Sequence, residues 1–399
     1  MSLVVQKFGG TSVSSAERRK LVANKVLIAK ENGYSPVIVV SAMGRTGEPY
    51  ATDTLLSLLE EKFKEDNPLC TDLLLSCGEV ISTVVMCNEL TKRGIDCIPL
   101  TGGQAGIVTD DKFSNANLIK VNTDRLNSII SEGKIPVIAG FQGISEDGYI
   151  TTLGRGGSDV SAAIIGAALN ASKIEIYTDV DGIMTADPRI VSKASLIKEM
   201  SYSEVFQFAD QGAKVIHPRA VEFAMKANIP LIIKNTMSNS IGTVINNDGE
   251  DINSNIITGI THLSHRVQIT VSVNDNLQNP NYYSLLNILA NNEISIDLIN
   301  VFPTQKIFTI DKKDLESFNS VMNSFEIKYI CIKDCSKIAI IGSRMRGIPG
   351  VMAKILNSLS KENIEILQTA DSHTTIWCLV RSESTEKAIN ALHKEFNLG

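Results

Sequence analysis

Three short apolar runs, SPVIVVSA (35–42), IPVIAGFQG (135–143) and KIEIYTDV (173–180), leave this chain few folds to choose from. Each lacks the polar alternation of a half-exposed strand and is too short for a buried helix, so each reads as a strand covered on both faces. Parallel strands need crossovers, and helical periodicity fills the gaps, as at 159–170. The expectation for residues 1–245 is an α/β domain, a mostly parallel central sheet flanked by helices. The polar segment NNDGEDINSN (246–255) breaks the pattern and reads as a linker. Beyond it the chain repeats itself: LLNILANNEISIDLIN (285–300) aligns with ILNSLSKENIEILQTA (355–370), matching Leu286 with Leu356, Leu289 with Leu359 and Ile294 with Ile364. Each copy is a helix leading into a strand and follows an earlier strand (266–273; 337–342), which gives two α+β units of βαββ type, 256–335 and 336–399. Two or three domains suit 399 residues.

Composition excludes several classes of partner. A formal charge of −6 without a Lys/Arg-dense face argues against nucleic acid or an anionic membrane surface. No uninterrupted apolar run reaches the roughly 18 residues of a membrane span, and the first seven residues are too strand-like for a signal peptide, so a cytoplasmic location is expected. Seven scattered cysteines fit reduced thiols, and Cys331 and Cys335 have no second pair at zinc spacing. The five histidines show no ligand spacing either; His217 and His373 read as loop residues.

Chemistry concentrates in the glycine-rich segments. TTLGRGGSDVSAAIIGAALN (151–170) places Gly156, Gly157, Ser158 and Asp159 directly before an apolar helix. Free N–H groups at such a start attract anions, glycine permits close approach, and Arg155 adds a planar fork for a carboxylate or phosphate. VVQKFGGTSV (4–13) puts Lys7 at the end of an apolar strand before Gly9, Gly10, Thr11 and Ser12. A lysine there either snorkels to water beside an ordinary turn or faces a phosphate as a point charge. It is not a Walker A loop, because the lysine precedes the glycines. Two such cradles in one α/β domain favour the phosphate reading. TDVDGIMTADPR (178–189) crowds three aspartates at a strand's carboxyl end, where open α/β sheets bind ligands; alone it is as well explained by a solvated acidic loop. Glu79 in LLSCGEVIS is, on the same footing, a first-turn helix carboxylate. IIGSRMRGIPG (340–350) lacks the spacing of a dinucleotide loop.

VVQKFGGTSV, SAMG (41–44) followed by Thr52-Asp53, LLLSCGE (73–79), GFQG (140–143), TTLGRGGSD, TDVDGIMTADPR and GAKVIHPRAVEFA (212–224) together resemble the motifs of the aspartokinases, in order and along the whole chain. The resemblance implies an amino acid kinase fold followed by two ACT domains, and transfer of the ATP γ-phosphoryl group to the β-carboxylate of L-aspartate with Mg²⁺ held mainly by the phosphates and no protein metal site. It is to the single-function type, without a fused homoserine dehydrogenase. The catalytic pair it implies is Lys7 and Asp159. Nucleotide contacts fall on Lys7, Phe8, Gly9, Gly10, Thr178, Asp179, Met184, Arg189, Lys214 and Val215, with Met184 where many relatives have tyrosine. Substrate contacts fall on Ser41, Thr52, Glu79, Phe141, Arg155, Gly156, Gly157 and Ser158, Arg155 taking the α-carboxylate and Glu79 the α-ammonium.

QTADSHTTIWCLV (368–380) is similar to the diaminopimelate-sensitive aspartokinases of spore-forming Gram-positive bacteria. The first ACT unit has NDNLQNPNY in place of the usual D-x-P-G turn and reads as degenerate. A feedback amino acid, meso-diaminopimelate first and lysine second, is expected near Asp297, Met345, Pro349, Gln368 and Asp371. A single βαββ unit leaves open strand edges, so a homodimer through the ACT units is expected as well. Two other readings remain open at this point: a kinase of the same fold acting on glutamate or acetylglutamate, and an amino acid sensor with an inactive kinase domain.

Overall fold

In the computed structural model, which describes residues 2–213, 215–247, 256–342, 345 and 348–399, the apolar runs are the strands of one eight-stranded sheet. Its order is Glu199–Ser201, Thr243–Asn246, Leu231–Asn235, Lys173–Thr178, Ser2–Phe8, Tyr34–Val40, Ile135–Ala139 and Cys97–Leu100. All neighbours are parallel except Leu231–Asn235 with Thr243–Asn246. Val4, Val5, Val37, Ile38, Val137 and Ile138 have no exposed surface, as continuous apolar runs require when helices cover both faces. A four-stranded sheet, Leu118–Val121, Ile107–Thr109, Gln142–Ser145 and Ile150–Thr152, completes this unit.

The helix Pro68–Thr91 revises the reading of apolar runs. With a mean hydropathy of 1.6 over its best window it is long and apolar enough to cross a membrane by length and composition alone. Half of that window is buried within the unit, and its carboxylates Asp72, Glu79 and Glu89 are buried too. It is a core helix with its charged groups turned inward.

The C-terminal unit is built on a six-stranded antiparallel sheet, Asp297–Val301, Gln305–Asp311, Gly259–Ser272, Ile330–Ile341, Thr375–Arg381 and Gln368–Asp371. The repeat at 285–300 and 355–370 supplies the helices Leu285–Asn291 and Val351–Lys361 and the two outer strands. Each copy has its own core, one around Ile269, Phe308, Phe318 and Leu285, the other around Ile338, Ile340, Leu359 and Leu392. The cores are not sequential. Gly259–Ser272 carries register shifts between Leu263 and Gln268: its first half pairs with 337–341, and its second half lies between 330–335 and Gln305–Asp311. Ile257 and Ile260 therefore join the second core although they precede the first.

The two units are also interleaved. Met184–Ser195 and Asp210–Ala213 group with the C-terminal unit, and the rest up to residue 253 with the N-terminal one. Ala186 and Val191 are buried with Ile257 and Ile260 in the second ACT core. Pattern reading, which runs along the chain, draws a boundary at 245 and does not see this exchange.

Candidate active site

Ser2–Phe8, Tyr34–Val40, Ile135–Ala139 and Lys173–Thr178 run in one direction, so their carboxyl ends deliver Lys7, Ser41, Phe141 and Thr178 to one edge of the sheet. Lys7 does not snorkel. It is 8% exposed, and its Nζ lies 2.6 Å from Asp159 Oδ1 in the first turn of the helix Gly157–Ala168. A buried ammonium needs a partner, and Asp159 supplies it. Gly9 donates its N–H to the Tyr177 carbonyl at 3.2 Å and opens the helical turn Gly10–Val13. Gly10 admits no side chain, since a Cβ there would lie 2.5 Å from the Ala42 carbonyl oxygen. Only glycine there lets the turn pack against the backbone of residues 42–44.

Beside Lys7 is a cleft of about 700 Å³, lined by Ser41, Thr52, Glu79, Phe141, Arg155 and the helix start from Gly156 to Asp159. Glu79 lines it from the middle of Pro68–Thr91, not from the first turn of a helix as the sequence suggested, and is only 2% exposed. Its Oε1 accepts the Ala42 N–H at 3.1 Å; its Oε2 has no hydrogen-bond partner among the described residues. Burial pushes the Glu79 pKa up to about 8, against the smaller pull of the Ala42 N–H. Phe141 holds a left-handed backbone (φ 69°) unusual for a bulky residue. It is fixed there by its N–H donating to Ser161 Oγ at 2.9 Å and its carbonyl accepting the Leu153 N–H at 2.8 Å. Strain of this kind persists where the surroundings over-determine it, as at ligand sites. Gly156 is left-handed too (φ 69°), and a Cβ there would meet the His217 ring.

Among the other expected residues, Phe8 is buried and stacked on Tyr177 at 4.7 Å, so only its backbone faces the site. Thr178 Oγ1 accepts the Val180 N–H at 3.0 Å, and Asp179 is ion-paired with Arg45. Val215 is half-buried, and Lys214 lies outside the described residues. Met184 and Arg189 fall in the segment that groups with the C-terminal unit, where the Arg189 guanidinium grips Asp187 (Nη2 to Oδ2, 2.6 Å). In the C-terminal unit, Pro349 and Asp371 are exposed, while Met345 is buried in the second ACT core. Asp297 pairs with the buried Lys337. Gln368 donates to the Leu298 carbonyl and to Asn300 Oδ1 and accepts from Gln268 Nε2. Residues 343, 344, 346 and 347 of the loop 340–350 lie outside the described residues.

Sequence reading passed over three residues. Arg45 donates from Nε to Thr11 Oγ1 at 3.1 Å and pairs with Asp179, joining the glycine turn to the aspartate-rich loop. Asp72, buried, and Arg219, half-buried, brace the wall of the cleft. A signal for Asp72 was present: it stands seven residues before Glu79, two helical turns away on the same face, in an otherwise apolar stretch.

The Amino acid kinase family model matches residues 2–235, and an ACT domain model matches residues 330–394. Aspartokinase 1 of Bacillus subtilis is 43% identical to this chain over 403 aligned residues, covering 100% of each. Among solved structures, E. coli aspartokinase III in complex with aspartate and ADP (R-state) is similar with a TM-score of 0.79 at 26% identity, covering 99% of this chain and 100% of that one. The same enzyme in complex with lysine and aspartate (T-state) gives a TM-score of 0.78 at 26% identity, covering 99% of each chain.

Proposed function

The chain belongs to the aspartokinase family, and on that premise we propose how its own residues carry the reaction. It transfers the γ-phosphoryl group of ATP to the β-carboxylate of L-aspartate, giving 4-phospho-L-aspartate. The nucleophile is a carboxylate, ordinarily ionised above about pH 4, so no general base is required. The barrier to overcome is repulsion between that anion and the triphosphate, and positioned cations answer it. Lys7 neutralises the transferring group, Asp159 holds Lys7 in place, and the turn at Gly9 and Gly10 with Thr178 and Asp179 receives the nucleotide. Mg²⁺, held mainly by the phosphate oxygens, would balance charge on the β- and γ-phosphates.

The observation that carries the substrate assignment is Glu79, a buried carboxyl in the lining of the cleft whose Oε2 has no hydrogen-bond partner among the described residues. An uncompensated buried acceptor is costly, and the α-ammonium of aspartate is the group that completes it. Arg155 takes the α-carboxylate, with Ser41, Thr52, Phe141 and Ser158 as the walls. Glutamate kinases and an inactive sensor are separated from this reading by an ATP-dependent hydroxamate assay with aspartate, glutamate and N-acetylglutamate in parallel. Aspartate should react and acetylglutamate, which has no free ammonium, should not. Equal turnover of the acetylated acid would remove Glu79 from its role.

For the C-terminal unit, the reading is feedback control by an amino acid of the lysine branch, meso-diaminopimelate first and lysine second. The E. coli relative whose complex holds lysine supports that class of ligand. Asp371 and Pro349 offer exposed contacts. Asp297–Val301 is a sheet edge with Ile299 and Val301 exposed and Phe302 beyond it. Unpaired edges of this kind are closed by a second copy, which supports a homodimer through the ACT units. Val301→Lys should halve the native mass; an unchanged mass would place the dimer contact elsewhere.

A further inference from the structure

Asp72 lies on the inward face of Pro68–Thr91, two turns before Glu79, and has no exposed surface. Its carboxylate accepts four hydrogen bonds. Ser114 N–H reaches both oxygens (3.0 and 2.9 Å), Thr152 N–H reaches Oδ2 at 2.7 Å, and Thr152 Oγ1 donates to Oδ1 at 2.8 Å. Burial pushes the Asp72 pKa up, and the bonds from Ser114 and Thr152 pull it down. Arg219 grips the same two stretches of chain through their acceptors. It donates to the Leu153 carbonyl at 2.7 Å, to the Ala116 carbonyl at 3.2 Å and to Asn115 Oδ1 at 3.2 Å. The stretches are also joined directly, Ala116 N–H to the Thr152 carbonyl at 2.8 Å.

One carboxylate therefore takes N–H groups, and one guanidinium takes C=O groups, from both the 114–116 stretch and the 152–153 stretch, the second of which runs into Gly154 and Arg155. Gly154 is left-handed (φ 74°), and a Cβ there would lie 2.6 Å from Asn115 Oδ1, so the segment seats against residue 115 only because it is glycine. The next side chain, Arg155, is exposed and long. Its head has four soft torsions, so where it reaches is set by how firmly its backbone root is held.

We propose that Asp72 and Arg219 are positioning residues for substrate binding: together they fix the 152–154 segment so that Arg155 meets the α-carboxylate of aspartate. The proposal rests on the assignment of Arg155 made above. It also explains why the buried group is a carboxylate. Ser114 and Thr152 both present donors, and only an ionised carboxyl offers acceptors on both oxygens. Asp72→Asn keeps the shape but turns an NH₂ toward one of those N–H groups.

The test is steady-state kinetics with melting curves on the full chain for wild type, Asp72→Asn, Arg219→Lys, Arg155→Ala and the double variant Asp72→Asn/Arg155→Ala. Asp72→Asn should raise the KM for aspartate about tenfold and leave the KM for ATP within about twofold, and Arg219→Lys, which keeps the charge but loses the fork, should follow the same pattern. In the Arg155→Ala background the Asp72→Asn effect should vanish, because the group being positioned is gone. An effect of Asp72→Asn on both KM values alike, on melting alone, or undiminished in the Arg155→Ala background overturns the proposal. Should Asp72→Asn fail to fold, Arg219→Lys decides by the same criteria. If Arg155→Ala alone leaves the aspartate KM unchanged, it is the assignment of Arg155 that falls, and it falls independently of what Asp72→Asn does to melting or to the KM for ATP.

Discussion

The cleft of the N-terminal unit and the strand junction of the C-terminal unit both bury polar and ionisable groups, and they leave them in opposite states. In the cleft, Glu79 keeps an oxygen without a partner among the described residues, and its pKa is driven up to about 8 by burial. At the junction, Lys337 is paired with Asp297, and Gln268, Gln368, Asn300 and the Leu298 carbonyl close on one another. An open buried group is destabilising until a ligand completes it, whereas a closed network is already complete and fixes the relation of the strands that carry it. On the assignment proposed above, the cleft gains from aspartate. The junction gives an effector little to gain, and the exposed Asp371 and Pro349 are the contacts left for one.

The largest expected effect breaks the comparison on the catalytic side. Lys7→Met should lower kcat by about 100-fold or more with the fold intact, because the lost interaction is with developing charge in the transition state. Near-normal turnover would return Lys7 to a structural role with Asp159.

Next comes the proton on Glu79. The folded chain holds it up to about pH 8, whereas the ordinary value is 4.5. Between those values the native state binds more protons than the unfolded one, so this group's contribution is full below about 4.5 and is lost as pH rises through about 8. The Tm of the substrate-free chain should fall over that window, and Glu79→Gln should flatten that part of the profile. Aspartate binding at pH 7 should release a proton, measurable by calorimetry in buffers of different ionisation enthalpy. Aspartate binding without proton release would mean that Glu79 is already ionised.

On the C-terminal side the effects are smaller and of another kind. Gln368→Leu should destabilise that unit by about 1–3 kcal/mol by stranding buried partners, with kcat unchanged in the absence of effector; denaturant unfolding and a standard assay read both. A variant of unchanged stability that resists inhibition would show the network to be open to ligands after all. Asp371→Ala should alter stability by less than about 0.5 kcal/mol and weaken inhibition by meso-diaminopimelate or lysine, as inhibition curves on the two proteins would reveal. Undiminished inhibition would move the effector away from Asp371.

Much of this was legible along the chain because it depends on short-range rules. Apolar runs of strand length, helical periodicity between them and glycine before a helix start are all local, and they located the parallel sheet, the repeat and the segments around Lys7 and Arg155. Residues whose importance comes from distant partners were not legible. Asp72 reads as a helix carboxylate until Ser114 and Thr152 arrive from 42 and 80 residues away. Arg45 reads as a turn residue until Asp179 is beside it.

The amino-acid sequence by itself determined which segments become strands, which glycines carry a close backbone approach and which family's motifs are present. Tertiary structure alone decided the state of the charges and the ownership of segments. Glu79 is a plain helix carboxylate in the sequence, and only packing removes its water and leaves one oxygen without a hydrogen-bond partner among the described residues. Residues 184–195 sit within the kinase stretch of the sequence, yet Ala186 and Val191 bury their side chains with Ile257 and Ile260. Desolvation and core membership depend on which surfaces meet in space, and that is set by long-range packing, which no local pattern encodes.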